Sequence, residues 1–319
     1  MYYADYTEEE ENAICKELKD HTLEKSIADY TKLRERTHID LDGIKPLSPI
    51  GLKFIENFVH RELLNTKSKH RISFYDFWFH RDFYMHRDNA TTNLVASIRK
   101  NKPYLTDIKI GKQVFNLYYG SISIFRPTNA AKLYAYLKPS CVLDFTMGWG
   151  GRMVGAAIMN VPKYIGIDMN ARLEEPYKQM TKHLHGTTET ELCVWFKDAL
   201  TIDYGTLEYD MVFTSPPFYN KETYGDIVPF TTNDDWDEQF YRPIFTKTWN
   251  GMKMGGNYCL NIPVLLYDRV CVPLFGEADE LIELKKYSRI LPKTVKKQTN
   301  VGQKYKEYIY IWKKSTDVK

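Results

Sequence analysis

Short apolar runs separated by longer amphipathic stretches characterise the chain after residue 140. Five runs rich in β-branched and aromatic residues predict strands at residues 141–145, 164–168, 192–196, 211–214 and 257–262. Helical periodicity occupies three intervals between them, at residues 152–159, 173–183 and 234–252. Residues 307–312 form a last apolar run, which predicts a sixth and final strand. Strands alternating with helices at this spacing predict an α/β fold with a mainly parallel, doubly wound sheet.

Residues 1–120 have a different texture, because helical spacing dominates them. Thr7 followed by Glu10 is a capping-box pattern that predicts a helix start. Apolar residues recur with helical spacing over 49–64, and aromatic residues crowd 71–89, which indicates core packing more than a site. We therefore predict a mainly helical N-terminal region over 1–120, a candidate for substrate recognition, and an α/β domain over 121–319.

Composition narrows the class of protein. Of the 319 residues, 43% are hydrophobic and 27% charged, which is typical of a globular chain and excludes a disordered or collagen-like one. No apolar run approaches the ~18 residues of a membrane span, so no membrane partner is expected. The acidic, polar N-terminus does not resemble a secretory signal. Five scattered cysteines without a CxxC pair indicate a reducing, cytoplasmic location. No metal site is expected, because the histidines are irregularly spaced and lack cysteine partners.

Charge is concentrated in one segment. Residues 285–306 hold eight lysines and arginines and no acidic residue, whereas the whole chain carries +3, so the remainder carries −5. A positive segment on a mildly acidic body is the footprint expected for a polyanionic partner such as a nucleic acid. The alternative is a solvated loop that binds nothing. The pattern makes no prediction of oligomeric state.

A glycine-rich turn follows the first predicted strand. Asp144 lies at the end region of that strand, next to its last residue, and Gly148 and Gly150 precede the next helix. Glycine lets the backbone approach a ligand closely, and a helix N-terminus offers free N–H groups. The turn predicts a ligand site, although many βα turns contain glycine for steric reasons alone.

Two more acidic residues follow the next strands. Asp168 lies 20 residues beyond Gly148, where a carboxylate can accept both hydroxyls of a ribose, and Asp198 follows the third strand. Acidic residues after three consecutive strands predict a nucleoside-binding crevice, and hence an adenosine-containing cofactor. A dinucleotide is disfavoured, because Met153 stands where the last glycine of its motif would be.

The fourth strand runs into the most specific motif of the chain. Ser215, Pro216, Pro217 and Phe218 place a hydroxyl and a carbonyl acceptor at a corner stiffened by two prolines, with an aromatic ring next to them. Taken alone, two prolines often indicate no more than a rigid turn.

Together these motifs resemble the S-adenosylmethionine-dependent amino methyltransferases. Those enzymes methylate exocyclic amino groups of nucleic-acid bases and carry an (Asp/Asn/Ser)-Pro-Pro-(Tyr/Phe/Trp) motif. Residues 125–134 resemble the cofactor segment of one permutation of the family, and the Trp-Gly-Gly-Arg sequence at 149–152 resembles its viral and phage members. The resemblance runs from about residue 121 to the C-terminus and implies a Rossmann-like methyltransferase sheet. One departure is Phe145-Thr146, where many relatives have Pro-Phe.

The resemblance implies a role for each matching residue. S-Adenosylmethionine would contact Phe125 at its methionine end, Asp144, Gly148 and Gly150 at its amino acid portion, Asp168 at its ribose and Asp198 at its adenine. The target amino group would donate hydrogen bonds to Ser215 and to the carbonyl of Pro216, while Pro217 stiffens the corner and Phe218 stacks on the base. We further expect Lys293, Lys296 and Lys297 to contact phosphates.

The substrate is left open among several classes. DNA is favoured, with serine at the first motif position leaning toward the 4-amino group of cytosine and the 6-amino group of adenine still open. An RNA enzyme acting on adenine or on the 2-amino group of a guanine cap is the second hypothesis. The third is a non-catalytic nucleic-acid-binding subunit, and a protein amide is a minor fourth.

Overall fold

The computed structural model describes residues 6–19, 21–68, 70–219, 230–284 and 307–315. Within these residues, eight helices precede the first strand: α1 (Glu8–Leu18), α2 (Leu23–Asp40), α3 (Leu52–Asn65), α4 (Phe74–Phe79), α5 (Arg81–Met85), α6 (Asn89–Asn101), α7 (Asp107–Tyr118) and α8 (Pro127–Leu137). The predicted capping box opens α1, because Thr7 and Glu10 each accept a hydrogen bond from the other's backbone N–H.

Strands and helices then alternate along the chain. The strands are β1 (Cys141–Asp144), β2 (Lys163–Asp168), β3 (Glu191–Phe196), β4 (Met211–Thr214), β5 (Asn257–Ile262), β6 (Glu280–Leu284) and β7 (Glu307–Lys313). The helices are α9 (Gly151–Ile158), α10 (Glu174–Leu184), α11 (Asn233–Trp236), α12 (Arg242–Gly251), α13 (Val264–Leu266) and α14 (Val272–Phe275). Two π-helical turns join α11 to α12 (Asp237–Tyr241) and α13 to α14 (Tyr267–Cys271).

One seven-stranded sheet has the order β3-β2-β1-β4-β5-β7-β6. Strands β1 to β5 pair in parallel, and β7 lies antiparallel between β5 and β6. The strand order reverses at β1, which pairs with β2 on one side and with β4 on the other. Ligands of doubly wound sheets bind outside the carboxyl ends of the strands at such a switch point. The sheet therefore brings the ends of β1, β2 and β4 together.

Both faces of the sheet are covered by helices, as alternation along the strands requires. Val142 and Phe213 point into a core shared with α8 and α9. Leu143 and Val212, their chain neighbours, point into a second core that contains residues of the π turn and α12. The predicted doubly wound α/β fold with a mainly helical N-terminal extension is confirmed.

The N-terminal helices divide between two cores. Tyr30 and Leu33 of α2 and Phe54 of α3 join the core on the α9 face of the sheet. The aromatic stretch packs elsewhere, since Phe74 and Phe77 are fully buried in a separate cluster with residues of α6 and α7. Aromatic core packing, as predicted, explains that stretch. The domain boundary near residue 120 stays a prediction. Helices α2 and α3 pack on the sheet although they precede that boundary in the chain.

Six predicted strands match the structure to within a residue at either end, whereas β6 escaped prediction. The predicted helix over 234–252 contains the π turn Asp237–Tyr241 instead of running as one regular helix. Among the helices of the described residues, none combines the length and the apolar character that crossing a bilayer would demand.

Candidate active site

The turn after β1 is tight and fixed by its neighbours. Gly148 and Gly150 have φ of +56° and +92°, a region that side-chain-bearing residues rarely adopt. A Cβ on Gly151 would lie 1.8 Å from the carbonyl oxygen of Phe125, so the segment before α8 packs directly on the start of α9. Met147 donates its backbone N–H to Ile167 of β2 at 2.9 Å. The N-terminus of α9 therefore opens at the carboxyl edge of the sheet.

Asp144 lies in a closed hydrogen-bond network below this turn. Its Oδ2 accepts from Arg152 Nε at 2.7 Å and from the Tyr164 hydroxyl at 2.6 Å. Its Oδ1 accepts from Arg152 Nη2 at 3.1 Å and from the Thr214 hydroxyl at 2.7 Å. The residue is 0% exposed, and four donors use the lone-pair sites of its two oxygens.

Arg152 is the buried cation that balances Asp144. Burial lowers the pKa of Arg152, but the Asp144 carboxylate outweighs burial and leaves the guanidinium pKa above its usual value. The guanidinium also donates to the Thr146 carbonyl at 2.6 Å, which ties it to the glycine turn. Phe125 is partly buried with its ring 5.6 Å from the guanidinium carbon and 5.4 Å from the ring of Phe213.

Two threonines connect the glycine turn to the end of β4. The hydroxyls of Thr146 and Thr214 lie 2.6 Å apart. Because Thr214 donates its single proton to Asp144, the Thr146 hydroxyl donates to Thr214. Thr214 immediately precedes Ser215. The glycine turn and the diproline corner are therefore joined by direct hydrogen bonds at one edge of the sheet.

Asp168 closes the site on the β2 side. Its carboxylate accepts the backbone N–H groups of Gly148 and Asn170, each at 2.9 Å. Burial raises the pKa of Asp168, and these two backbone donors offset part of the rise. Asp198, beyond the end of β3, is exposed, and its carboxylate caps a short turn by accepting from Leu200 N–H at 2.9 Å.

The diproline corner after β4 is held from two sides. On one side, the Ser215 hydroxyl lies 3.2 Å from both the backbone carbonyl and the side-chain oxygen of Asn261 on β5. On the other, Tyr241 of the π turn donates its hydroxyl to the Pro217 carbonyl and accepts from the Tyr219 N–H at 2.9 Å. Tyr219 has φ of +53°, so the chain turns sharply after Phe218.

A buried acid supports that clamp. The Tyr219 hydroxyl donates to Asp237 Oδ1 at 2.9 Å, and Arg269 donates to Asp237 Oδ2 at 2.8 Å. Asp237 is 3% exposed, so its charge is paired inside the protein. Pro216 is buried, whereas Ser215, Pro217 and Phe218 are partly exposed. The corner is thus rigid and still accessible.

The structure brings most of the predicted site residues to one edge. Residues from the ends of β1, β2 and β4 lie together there: Asp144, Gly148, Gly150, Asp168, Ser215, Pro216, Pro217 and Phe218. Phe125 packs beneath the turn, and Asp198 stands apart at the end of the edge strand β3. Lys293, Lys296 and Lys297 lie outside the described residues. Among those that are described, no group of three metal-ligating side chains comes together.

Sequence reasoning missed several residues that hold this site. Asn261 was the most visible of them, because an amide inside the apolar strand β5 is an unusual polar interruption. Thr146 and Thr214 gave no signal, since hydroxyls at strand ends are common. Asp237 and Tyr241 come together at the corner only because of a π turn, which apolar periodicity does not reveal.

Comparison with known proteins gives likenesses of fold alone. No family model matches the chain, and no curated protein matches it. Among solved structures, TrmN from Thermus thermophilus has a TM-score of 0.41 at 14% identity, over 59% of this chain and 48% of TrmN. Trm5 from Methanocaldococcus jannaschii, in complex with adenosine, has a TM-score of 0.39 at 15% identity, over 61% of this chain and 51% of that protein.

A shorter protein gives a similar likeness. An rRNA methylase from Streptococcus thermophilus has a TM-score of 0.38 at 16% identity, over 61% of this chain and all of that protein. The chain spans about half the length of TrmN and Trm5. At 14–16% identity, the similarity to these three structures is one of fold and does not by itself establish a function.

Proposed function

We propose that the chain transfers a methyl group from S-adenosylmethionine to the exocyclic amino group of a base in DNA, cytosine or adenine. The observation that carries the proposal is the junction of Thr146 and Thr214, which joins a glycine turn suited to a nucleoside cofactor to a corner that presents Ser215. A donor and an acceptor must be held in line for methyl transfer, and adjacent strand ends can hold both.

The residues at the edge fit the cofactor. Gly148 and Gly150 keep the turn free of Cβ atoms, while Asp168 is an acidic acceptor beside it. We assign Asp168 to the ribose hydroxyls, Asp198 to the adenine amino group and Phe125 to the methionine end. Asp144 is fully engaged with Arg152, Tyr164 and Thr214, so we assign it to shaping the turn around the amino acid portion.

The chain's own residues prepare the target nitrogen. The lone pair of a base amino group is delocalised into the ring, which makes the nitrogen a poor nucleophile. Hydrogen bonds from its two N–H groups to Ser215 Oγ and the Pro216 carbonyl favour a tetrahedral nitrogen and localise the lone pair. S-Adenosylmethionine supplies an electrophilic methyl group when bound. A carbon–nitrogen bond forms, a carbon–sulfur bond breaks, and the surplus proton on nitrogen passes to solvent.

A base inside a duplex cannot reach this corner. The target must therefore be flipped out or single-stranded. Stacking on Phe218, which is partly exposed, repays on the order of 1–3 kcal/mol of that cost. The basic segment 285–306 supplies the charge for the phosphates.

Methyl transfer from labelled S-adenosylmethionine to matched DNA and RNA oligonucleotides, followed by nucleoside analysis, tests the proposal. We expect label in N4-methylcytosine or N6-methyladenine of DNA, and much slower but still measurable transfer by Ser215→Ala. Ser97→Ala, an exposed serine on α6, is the matched control and retains activity. Label found only in RNA would show that the substrate is RNA and not DNA. Binding of oligonucleotide without any transfer would indicate a non-catalytic subunit.

A further inference from the structure

Asn261 is a polar side chain placed where the sheet core is otherwise apolar. It is 2% exposed, and its strand neighbours Leu260 and Ile262 are buried as well. Burying an amide costs free energy unless its polar atoms are hydrogen-bonded. Both ends of the Asn261 amide are bonded, and the two bonds lead to different parts of the site.

The orientation of the Asn261 amide follows from its partners. Its nitrogen lies 3.0 Å from the backbone carbonyl of Tyr308 on β7, which can only accept. The NH₂ end must therefore face β7. The side-chain oxygen then faces β4, where it lies 3.2 Å from Ser215 Oγ. The strands β4, β5 and β7 thus fix which atom Asn261 presents to Ser215.

This orientation decides how Ser215 can be used. A serine hydroxyl has one proton and two lone pairs. The two atoms that Ser215 Oγ contacts on the β5 side, the backbone carbonyl and the side-chain oxygen of Asn261, are both acceptors. The proton is directed to β5, and the lone pairs are left to accept a hydrogen bond. A hydroxyl that rotated away could instead donate to the target nitrogen and occupy the lone pair needed for attack.

We propose that Asn261 is a positioning residue that holds the Ser215 hydroxyl as a hydrogen-bond acceptor for the target amino group. The assignment rests on the proposed function, because it concerns the role of Ser215 in it. Asn261 acts through Ser215 and contacts neither the base nor the cofactor.

A double-mutant cycle between Asn261→Ala and Ser215→Ala tests the assignment. In the wild-type background, loss of one acceptor is expected to lower kcat about fivefold, with the backbone carbonyl of Asn261 retaining part of the effect. In the Ser215→Ala background, Asn261→Ala is expected to cause no further loss. Affinity for S-adenosylhomocysteine, measured by calorimetry, stays unchanged in all four proteins.

A readout without turnover accompanies the cycle. Binding of a target oligonucleotide in the presence of S-adenosylhomocysteine, followed by fluorescence anisotropy, is expected to weaken in Asn261→Ala and to be insensitive to residue 261 once Ser215 is alanine. Asn261→Asp keeps the volume if the alanine variant fails to fold. Only its protonated form can donate to Tyr308, so its kcat relative to wild type is expected to rise as pH falls.

The outcomes separate the assignment from the function beneath it. Equal losses of kcat from Asn261→Ala in both backgrounds, or an unchanged kcat in the first, overturn the positioning role while transfer by the wild type stands. Absence of transfer by the wild-type protein to any nucleic acid overturns the proposed function itself, and the assignment with it.

Discussion

At the residue scale, the buried pair of Asp144 and Arg152 organises the site. Sequence alone identified Asp144 as an acid at a strand end but gave no sign that its oxygens are taken by Arg152, Tyr164 and Thr214. The glycine turn, Asp168 and the diproline motif could be picked out from the sequence, because each is a local pattern of residue types next to a predicted strand. Partners brought from other strands were not, because contact between distant residues depends on the finished fold.

Removing the cation from this pair should be severely destabilising. Arg152→Met leaves Asp144 buried without its counter-charge, which is expected to lower the free energy of unfolding by about 3–5 kcal/mol. Urea denaturation measures the change. The double variant Asp144→Asn with Arg152→Met removes the stranded charge and should recover part of the loss. Equal destabilisation in both variants would show that packing, not charge, governs this position.

The charge of Asp168 should affect both the stability of the fold and the binding of the cofactor. Because burial raises its folded pKa, its contribution to stability is present below the ordinary aspartate pKa and is lost as pH rises through the raised value. At neutral pH its charge therefore costs stability. Asp168→Asn removes this charge but replaces one of the two oxygens that accept the Gly148 and Asn170 N–H groups with an NH₂ donor. The two effects on stability oppose each other, so the melting temperature is expected to stay close to that of the wild type, while S-adenosylhomocysteine binds about tenfold more weakly. Asp107→Asn on α7, an exposed aspartate, is the control that changes neither.

Wild-type binding should also depend on pH through the same group. Affinity for S-adenosylhomocysteine is expected to fall on acidification, with a midpoint above that of an ordinary aspartate, because only the carboxylate can accept both ribose hydroxyls. Calorimetry across the acidic range measures the midpoint. If the same pH dependence of affinity persisted in Asp168→Asn, another titrating group would be responsible for it.

At the scale of elements, the π turn Asp237–Tyr241 is the feature that periodicity could not predict. Trp236, Phe240 and Ile244 repeat at a spacing of four and favour a regular helix over 234–252. Strands β1 to β5 and β7 were predictable from short apolar runs. Strand β6 was not, because two glutamates accompany its three apolar residues, and Leu281 is exposed at the edge of the sheet.

The clamp made by the π turn should matter for catalysis more than for stability. Tyr241→Phe removes the hydroxyl that bridges Pro217 and Tyr219, and we expect lower kcat with unchanged cofactor affinity. The stability loss should be about 1–2 kcal/mol. Tyr209→Phe is the matched control, since its buried hydroxyl donates to Thr248 on the same helical stretch, away from the corner. A similar drop of kcat in both variants would argue against the clamp.

At the scale of the whole molecule, the strand order of the sheet determines which residues meet at the candidate site. Its switch point at β1 puts the glycine turn beside the diproline corner, as the doubly wound prediction required. The packing of α2 and α3 on the sheet was not predictable, because an apolar helix face shows that a helix is buried but not which element it packs against.

The uneven charge of the chain predicts how it would bind the nucleic acid of the proposed function. Replacing Lys293, Lys296 and Lys297 with alanine should weaken oligonucleotide binding and make its dependence on salt shallower, by about 0.9 in slope for each phosphate of duplex DNA that the variant no longer neutralises. Replacing Lys178, Lys182 and Lys253, exposed lysines elsewhere, controls for net charge. An unaltered salt slope in the first triple variant would exclude the basic segment as the phosphate-binding surface.

The antiparallel pairing of β6 and β7 has a consequence for how this chain can change. Leu284 and Glu307 stand opposite each other in register, so the two sheet residues that flank the 22-residue connection lie side by side. When the two ends of a flexible connection are adjacent, each doubling of its length costs only about 0.6 kcal/mol of chain entropy. Under the proposed function, the target of this chain could therefore change through the length and sequence of that connection, while the residues at the switch point of the sheet keep their positions.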